Sequence, residues 1–157
     1  MQFKNIIYAL AALSFSVIIG AGIYEHVALW PVAFSEPPKS LSVFQGPYRL
    51  TPAPFWMSIH PITLIFFVAA LIANWRTNRK QTLLITIAGY MLILVVTHIY
   101  FVPELMELTG TPFSDTVDPS LQDRGSLWIN LSLIRAAILI VLSLNLLLTF
   151  AKREAVS

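Results

Sequence analysis

The chain has no cysteine and very little charge. The absence of cysteine from its 157 residues excludes disulfide bonds, thiolate nucleophiles, iron–sulfur clusters and metal sites built on sulfur. Charged residues make up only 11% of the chain, against about 25% in an ordinary soluble protein, whereas hydrophobic residues make up 57%. The composition therefore predicts a membrane protein, in which any bound metal would need histidine or carboxylate ligands.

Four long apolar runs organise the sequence. Each run has about the 20 residues that an α-helix needs to cross roughly 30 Å of hydrocarbon. The runs cover residues 6–34, 55–75, 83–102 and 127–151. We expect an all-α fold, an integral membrane four-helix up-down bundle that forms a single transmembrane domain over residues 1–157. Two long outer loops, 35–54 and 103–126, are expected to cap it.

Basic residues in the short loops predict the orientation, because positively charged loops stay in the cytoplasm. One group lies at the ends predicted to be inside: Lys4, Arg76, Arg79, Lys80, Lys152 and Arg153. The outer group is smaller: Lys39, Arg49 and Arg124. We predict a multi-pass protein of a bacterial-type inner or plasma membrane with both termini cytoplasmic. The net charge of +2 comes from this placement and indicates contact with the lipid bilayer and no binding of nucleic acid.

Ionisable residues inside the apolar runs are confined to the outer half. Counting about 1.5 Å per residue from each outer helix end puts one on every helix at a similar depth: His26, His60, His98 and Arg135. Glu25 adjoins the first of them. Arginine at a helix centre costs about 2.5 to 3.5 kcal/mol even on a lenient scale, so these side chains should face the bundle interior. The sequence predicts an outer polar pocket in which Glu25 pairs with Arg135.

Three imidazoles and a carboxylate at one depth are a donor set that suits a divalent metal. The candidate ligands are His26, His60 and His98, from three different helices, with Glu25 or Glu104 as the carboxylate. Such ligands bind copper, iron or zinc, and an open position would admit water or oxygen. The sequence thus offers a candidate metal cofactor, although it contains no short ligand motif.

The same pocket also permits acid–base catalysis without a metal. His26 or His98 would serve as general base, while Arg135 and Asn130 stabilise an oxyanion on a lipophilic substrate. Trp128 and Arg135 stand at i and i+7, so they share one face of the last helix. Asn130 points well away from that face. Both kinds of chemistry therefore remain open.

Prolines accompany the histidines. HVALWP at 26–31 and HIYFVP at 98–103 each place a proline five residues after the histidine, and Pro61 directly follows His60. Each proline removes a backbone N–H and predicts a local break in its helix. The similarity between these segments of the first and third helices is either a parallel internal repeat or a coincidence.

The stretch SLWINLSLIRAAILI, with Trp128, Asn130 and Arg135, resembles the last helix of the small four-helix membrane proteins grouped as anthrone-oxygenase-like. The resemblance extends to overall length and helix count. It implies that these three residues belong to the site, and it implies the activity of some members, which oxygenate anthrones to anthraquinones.

We therefore expect a membrane enzyme, an oxidoreductase that acts on a small hydrophobic substrate, with or without a metal. The alternative is a small transporter or a structural subunit of a membrane complex, in which the polar cluster is a buried ion-pair network. Enclosing a transport path with only four helices would require a homo-oligomer.

Overall fold

Four long helices account for most of residues 3–151, the part of the chain that the computed structural model describes, and no β-strand occurs there. Each is long and apolar enough to cross a membrane. We name them in chain order α1 (Phe3–Ala33), α2 (Ala53–Ala73), α3 (Arg79–Thr109) and α4 (Pro119–Ala151). The predicted all-α, four-helix membrane fold is confirmed. Lys152 and Arg153, two of the residues used to predict orientation, lie outside the described part.

The helices pack in the ring order expected of an up-down bundle. α1 contacts α2 most extensively, α4 packs against both α1 and α3, and the α2–α3 contact is the sparsest of the four. Aromatic side chains fill the inner half. Phe15 of α1 makes edge-to-face contacts with Phe67 of α2 and Tyr90 of α3, at centroid distances of 5.3 and 5.1 Å. Such contacts add to the stabilisation from burying the rings.

Two of the basic residues predicted to lie on the inner side, Lys4 and Arg79, are found at the same end of the bundle. The Asn74 amide donates to the Lys4 carbonyl at 3.4 Å, which joins the end of α2 to the start of α1. Arg79 donates to the Asn5 side-chain oxygen at 2.6 Å, and its guanidinium lies 5.2 Å from the Tyr8 ring centroid. Lys4 and Arg79 therefore lie at one end, while the side of the membrane they face stays a prediction.

The predicted second outer loop, 103–126, is largely helical. α3 continues to Thr109 and α4 begins at Pro119, so both helices extend well beyond their apolar runs. Hydropathy marks where a chain leaves the hydrocarbon, whereas a helix continues wherever its hydrogen bonds remain satisfied. Across this extension Glu104 of α3 accepts a hydrogen bond from Arg124 of α4 at 2.8 Å.

The outer connections are tied to each other. A short 3₁₀ helix, Lys39–Phe44, forms within the first connection. The Gln45 side chain donates to the Thr111 carbonyl at 2.8 Å, and the Asp118 N–H donates to the Pro37 carbonyl, also at 2.8 Å. These bonds link the first connection to the second, as the predicted capping role requires.

Aromatic rings fill the space beneath these connections. Trp30, at the end of α1, packs against Phe34, Phe44 and Trp128 at centroid distances between 5.0 and 6.1 Å. Phe101 of α3 adds an edge contact to Trp128 at 5.8 Å. We call Trp30, Phe34, Phe44, Phe101 and Trp128 the aromatic cap. It covers the outer side of the predicted polar layer.

Candidate functional site

α1 and α3 each widen into a π-helical turn just before a proline. The turns cover Glu25–Leu29 and Thr97–Phe101, and Pro31 and Pro103 follow two residues after each turn. A proline lacks the N–H that an α-helix would use, and the extra residue of a π turn shifts the hydrogen-bond register past that gap. Both predicted breaks are confirmed, and π turns are frequent at functional sites.

The proline of α2 behaves differently. Ala53–Ala73 remains α-helical across Pro61, so the break predicted beside His60 is not seen as a change of helix type. Proline in a helix interior removes one hydrogen bond, and a bend without an inserted residue is enough to relieve its ring. His60 therefore sits on a continuous helix, unlike the other two histidines.

The two π turns hold their histidines in the same way. The ring Nδ1 of His26 lies 2.7 Å from the Gly22 carbonyl oxygen, and that of His98 lies 3.0 Å from the Leu94 carbonyl oxygen. A carbonyl only accepts, so each Nδ1 carries the hydrogen and each Nε2 is left as an acceptor. The Nε2 of His26 is buried and has no hydrogen-bond partner among residues 3–151, whereas the His98 ring is exposed.

His60 has a partner that the sequence did not reveal. Its Nδ1 lies 2.6 Å from the Tyr90 hydroxyl, and its ring stacks on Trp56 with centroids 5.4 Å apart. His60 is also close enough to Arg135 and His98 to interact with both electrostatically. The hydroxyl and indole groups fix the ring at the α2–α3 contact.

Glu25 is held by an indole group instead of by a cation. One carboxylate oxygen accepts a hydrogen bond from the Trp56 indole N–H at 2.9 Å. Trp56 therefore contacts both Glu25 and His60. An indole N–H is a neutral donor, so this contact orients the carboxylate without cancelling its charge.

Arg135 is held by hydroxyl groups. Its guanidinium donates to the Thr97 hydroxyl at 3.0 Å and to the Ser132 hydroxyl at 2.7 Å, and lies 4.2 Å above the Phe101 ring. No ion pair within 4.0 Å joins it to Glu25 or to any other carboxylate in the described part of the chain. The two charges interact only over a longer distance. The pair that the sequence predicts is thus not a direct contact.

The predicted metal ligands do not come together. No group of three or more His, Asp or Glu side chains within residues 3–151 is placed to hold a metal ion. Glu104 is bound to Arg124, and the Nδ1 atoms of His26 and His60 are occupied by a carbonyl and by the Tyr90 hydroxyl. The described donor set does not fit a metal, so we attach no chemical step to one.

The two other site residues predicted on α4, Trp128 and Asn130, lie in different surroundings. Trp128 is buried in the aromatic cap, donates its indole N–H to the Phe101 carbonyl at 3.0 Å, and stacks with His26 at 6.4 Å. Asn130 is exposed, and no contact joins it to Arg135. Trp128 therefore forms part of the roof of the site, and Asn130 lies outside it.

Sequence reasoning missed two hydroxyl groups of the site, those of Tyr90 and Thr97. The two residues are at i and i+7 on α3, so they share one helix face. This shared face could have indicated that both hydroxyl groups belong to the site, but hydroxyl residues are common in apolar runs. The site consists of the residues joined by these contacts: Glu25, Trp56, His60, Tyr90, Thr97, His98, Ser132 and Arg135.

Comparisons with protein-family models, with curated proteins and with solved structures find no match to this chain.

Proposed function

We propose that the protein is a membrane-embedded oxidoreductase that acts on a small hydrophobic molecule with an oxygen able to carry negative charge. The observation that carries the proposal is the separation of two opposite charges in the outer half of the bundle. Arg135 has hydroxyl partners, Thr97 and Ser132, while Glu25 has one indole partner, Trp56. Each charged group can therefore still bind a polar group of a ligand.

The energetics favour a ligand at Arg135. An arginine within a membrane span costs several kcal/mol unless it is paired, and two hydroxyl bonds satisfy only part of its five N–H donors. A direct bond to Glu25 would be the simplest compensation within the chain. Because this bond is absent from the described contacts, an anionic oxygen on a bound molecule is the partner that best completes the site.

His98 is the best-placed proton acceptor. Its Nδ1 is committed to the Leu94 carbonyl, which orients Nε2 as an acceptor, and its ring is accessible. Thr97, the neighbouring residue, holds Arg135. A substrate with an acidic C–H beside a carbonyl would lose its proton to Nε2 while Arg135 stabilises the enolate oxygen.

The oxidative half of the proposal comes from the likeness of α4 to the anthrone-oxygenase-like proteins. As in those proteins, the proposed oxidant is molecular oxygen. The enolate carbon gives its electrons to oxygen and forms a C–O bond, one oxygen atom stays as a new carbonyl, and the other leaves as water. The carbon loses both of its hydrogens, so anthrone and oxygen balance with anthraquinone and water.

Turnover of anthrone by the protein in lipid nanodiscs tests this proposal. Oxygen uptake and anthraquinone formation should exceed those of empty nanodiscs. Arg135→Leu should lower the rate roughly a hundredfold or more, as does loss of an oxyanion-stabilising donor in other enzymes. Arg49→Leu is the matched control, because it removes an exposed arginine of the first outer connection.

Two results would contradict the proposal. The first is a wild-type rate equal to that of empty nanodiscs. The second is equal rates in wild type and Arg135→Leu. If the only effect of Arg135→Leu were a change in thermal stability, the cluster would be a structural network of a transporter or complex subunit.

A further inference from the structure

The two halves of the chain repeat each other at a constant distance. Three pairs of identical residues, each 72 positions apart, mark this repeat: His26 and His98, Pro31 and Pro103, and Trp56 and Trp128. The first two pairs belong to α1 and α3, and the third belongs to α2 and α4. A shared offset across two different helix pairs is not expected of isolated coincidences.

The backbone repeats with the same offset. The π turns Glu25–Leu29 and Thr97–Phe101 have the same length and begin 72 positions apart. The carbonyl groups that bind the two histidines, those of Gly22 and Leu94, have this offset as well. The hairpin of α1 and α2 and the hairpin of α3 and α4 therefore carry the same features at equivalent positions, as parallel repeats do.

Buried hydroxyl groups follow the same relation in the inner half. Ser14 of α1 and Thr86 of α3 are both buried and are also 72 positions apart. Each lies three helical turns before its π-turn histidine, on the part of the helix that packs in the inner core. The relation therefore extends beyond the residues of the site.

The repeat matches the charged residue of each hairpin with a threonine of the other. Glu25 in the first hairpin corresponds to Thr97 in the second, and Arg135 in the second corresponds to Thr63 in the first. His60 corresponds in the same way to Ser132. The first hairpin thus contributes the carboxylate and the second contributes the guanidinium, although the two π turns are alike.

Contacts across the bundle bring these two half-sites together. The Nδ1 of His60 in the first hairpin lies 2.6 Å from the Tyr90 hydroxyl of the second, and His60 is within electrostatic range of Arg135. Thr63, the counterpart of Arg135, is fully buried, and its hydroxyl has no hydrogen-bond partner in the described range 3–151. The first hairpin therefore also retains unused hydrogen-bonding capacity.

We propose that the two hairpins form one binding site for a ligand with two different polar ends, an anionic oxygen bound by Arg135 and a hydroxyl group that donates to Glu25. The inference rests on the proposed function, because it places the reacting oxygen at Arg135, and it adds a second recognition group. The ligand class is a flat, largely apolar molecule that carries an acidic group at one end and a hydroxyl at the other.

A pair of matched probes tests this recognition. The first is a naphthoic acid with a hydroxyl group at the opposite end of its ring system, and the second is the methyl ether of the same acid. Both present a carboxylate to Arg135, but only the first can donate to Glu25. In nanodiscs, calorimetric titration of wild type should show about tenfold tighter binding of the hydroxy acid, a factor typical of one charge-assisted hydrogen bond.

Variants of Glu25 test how the hydroxyl end of the ligand is recognised. In Glu25→Leu the preference for the hydroxy acid should fall to about onefold, while the methyl ether binds at least as tightly as to wild type, since it no longer buries an unpaired carboxylate. Glu25→Gln, which keeps the side-chain shape and the Trp56 contact, should retain an intermediate preference. Comparing the ratio of the two probes between proteins cancels their different partition into lipid.

The outcomes separate this inference from the proposed function. Equal affinity of wild type for both probes, with binding lost in Arg135→Leu, would overturn the two-ended site and leave the anion site in place. An unchanged preference in Glu25→Leu would overturn it as well. If neither probe binds, or if both bind Arg135→Leu as tightly as wild type, there is no anion site at Arg135. Both proposals would then be wrong, because both depend on that site.

Discussion

The Arg135 guanidinium donates to the Thr97 hydroxyl at 3.0 Å, although Glu25, an acidic residue of the same polar layer, lies within electrostatic range. The carboxylate is bound by the Trp56 indole at 2.9 Å instead. Charges buried in apolar surroundings are normally paired or compensated, because the cost of leaving them unpaired is several kcal/mol. Holding them apart with neutral groups is the arrangement expected where a ligand supplies the final partner.

Tyr90→Phe tests the support that His60 receives. The change removes the hydroxyl bonded to His60 Nδ1 and leaves the buried ring in place. Loss of one hydrogen bond should lower the free energy of unfolding by about 0.5 to 1.5 kcal/mol, measured by tryptophan fluorescence during denaturation. Tyr48→Phe removes an exposed hydroxyl and should have no effect. Equal effects of the two changes would contradict the role of the Tyr90 hydroxyl.

Gly125→Ala tests the close packing of the aromatic cap against α4. A methyl group at Gly125 would lie 2.5 Å from Cδ1 and 2.6 Å from Cγ of Phe34. Relief of that overlap requires displacement of the ring, so we expect a loss of about 1 to 3 kcal/mol in stability. Gly20→Ala meets nothing within 4 Å and should be neutral or stabilising. Similar thermal unfolding of the two variants would show that the cap does not pack this way.

Arg124→Gln tests the ionic link between the outward extensions of α3 and α4. The guanidinium lies 2.8 Å from Glu104 and 3.0 Å from Glu107, at partly exposed positions. Such a link is screened by water, so its loss should cost about 1 kcal/mol or less, and less still at high salt. Lys39→Gln breaks an exposed pair with Glu36 at 3.9 Å and should cost nothing measurable. A salt-independent loss in Arg124→Gln would contradict an ionic contribution.

The sequence was sufficient to predict the four spanning helices and two local irregularities. Long apolar runs predict membrane helices because no other lipid-exposed structure satisfies the backbone, and Pro31 and Pro103 predict breaks because a missing N–H is a local property. These features depend on one helix at a time. They do not require knowledge of how the helices are rotated against each other.

The contacts of the site could not be predicted in the same way. Glu25 and Arg135 share a depth, but depth does not determine whether Trp56 or Arg135 reaches the carboxylate first. The sequence makes Glu104 a candidate metal ligand as a carboxylate near the depth of the histidines, whereas α3 continues and Glu104 binds Arg124. Helix rotation and helix length decide these contacts, and both are set by tertiary packing.

The most direct measurement of the central claim is carboxylate-probe binding by Thr97→Glu. This change places a carboxylate at the position that already bonds to Arg135, so it supplies the missing ion pair from within the chain. We predict a higher unfolding temperature and at least about tenfold weaker binding of the naphthoic acid probes, since the guanidinium is then occupied. Thr97→Gln, of similar size but without charge, should bind the probes nearly as wild type does. Probe affinity that is unchanged in Thr97→Glu would contradict the claim that Arg135 is held ready for an anionic ligand.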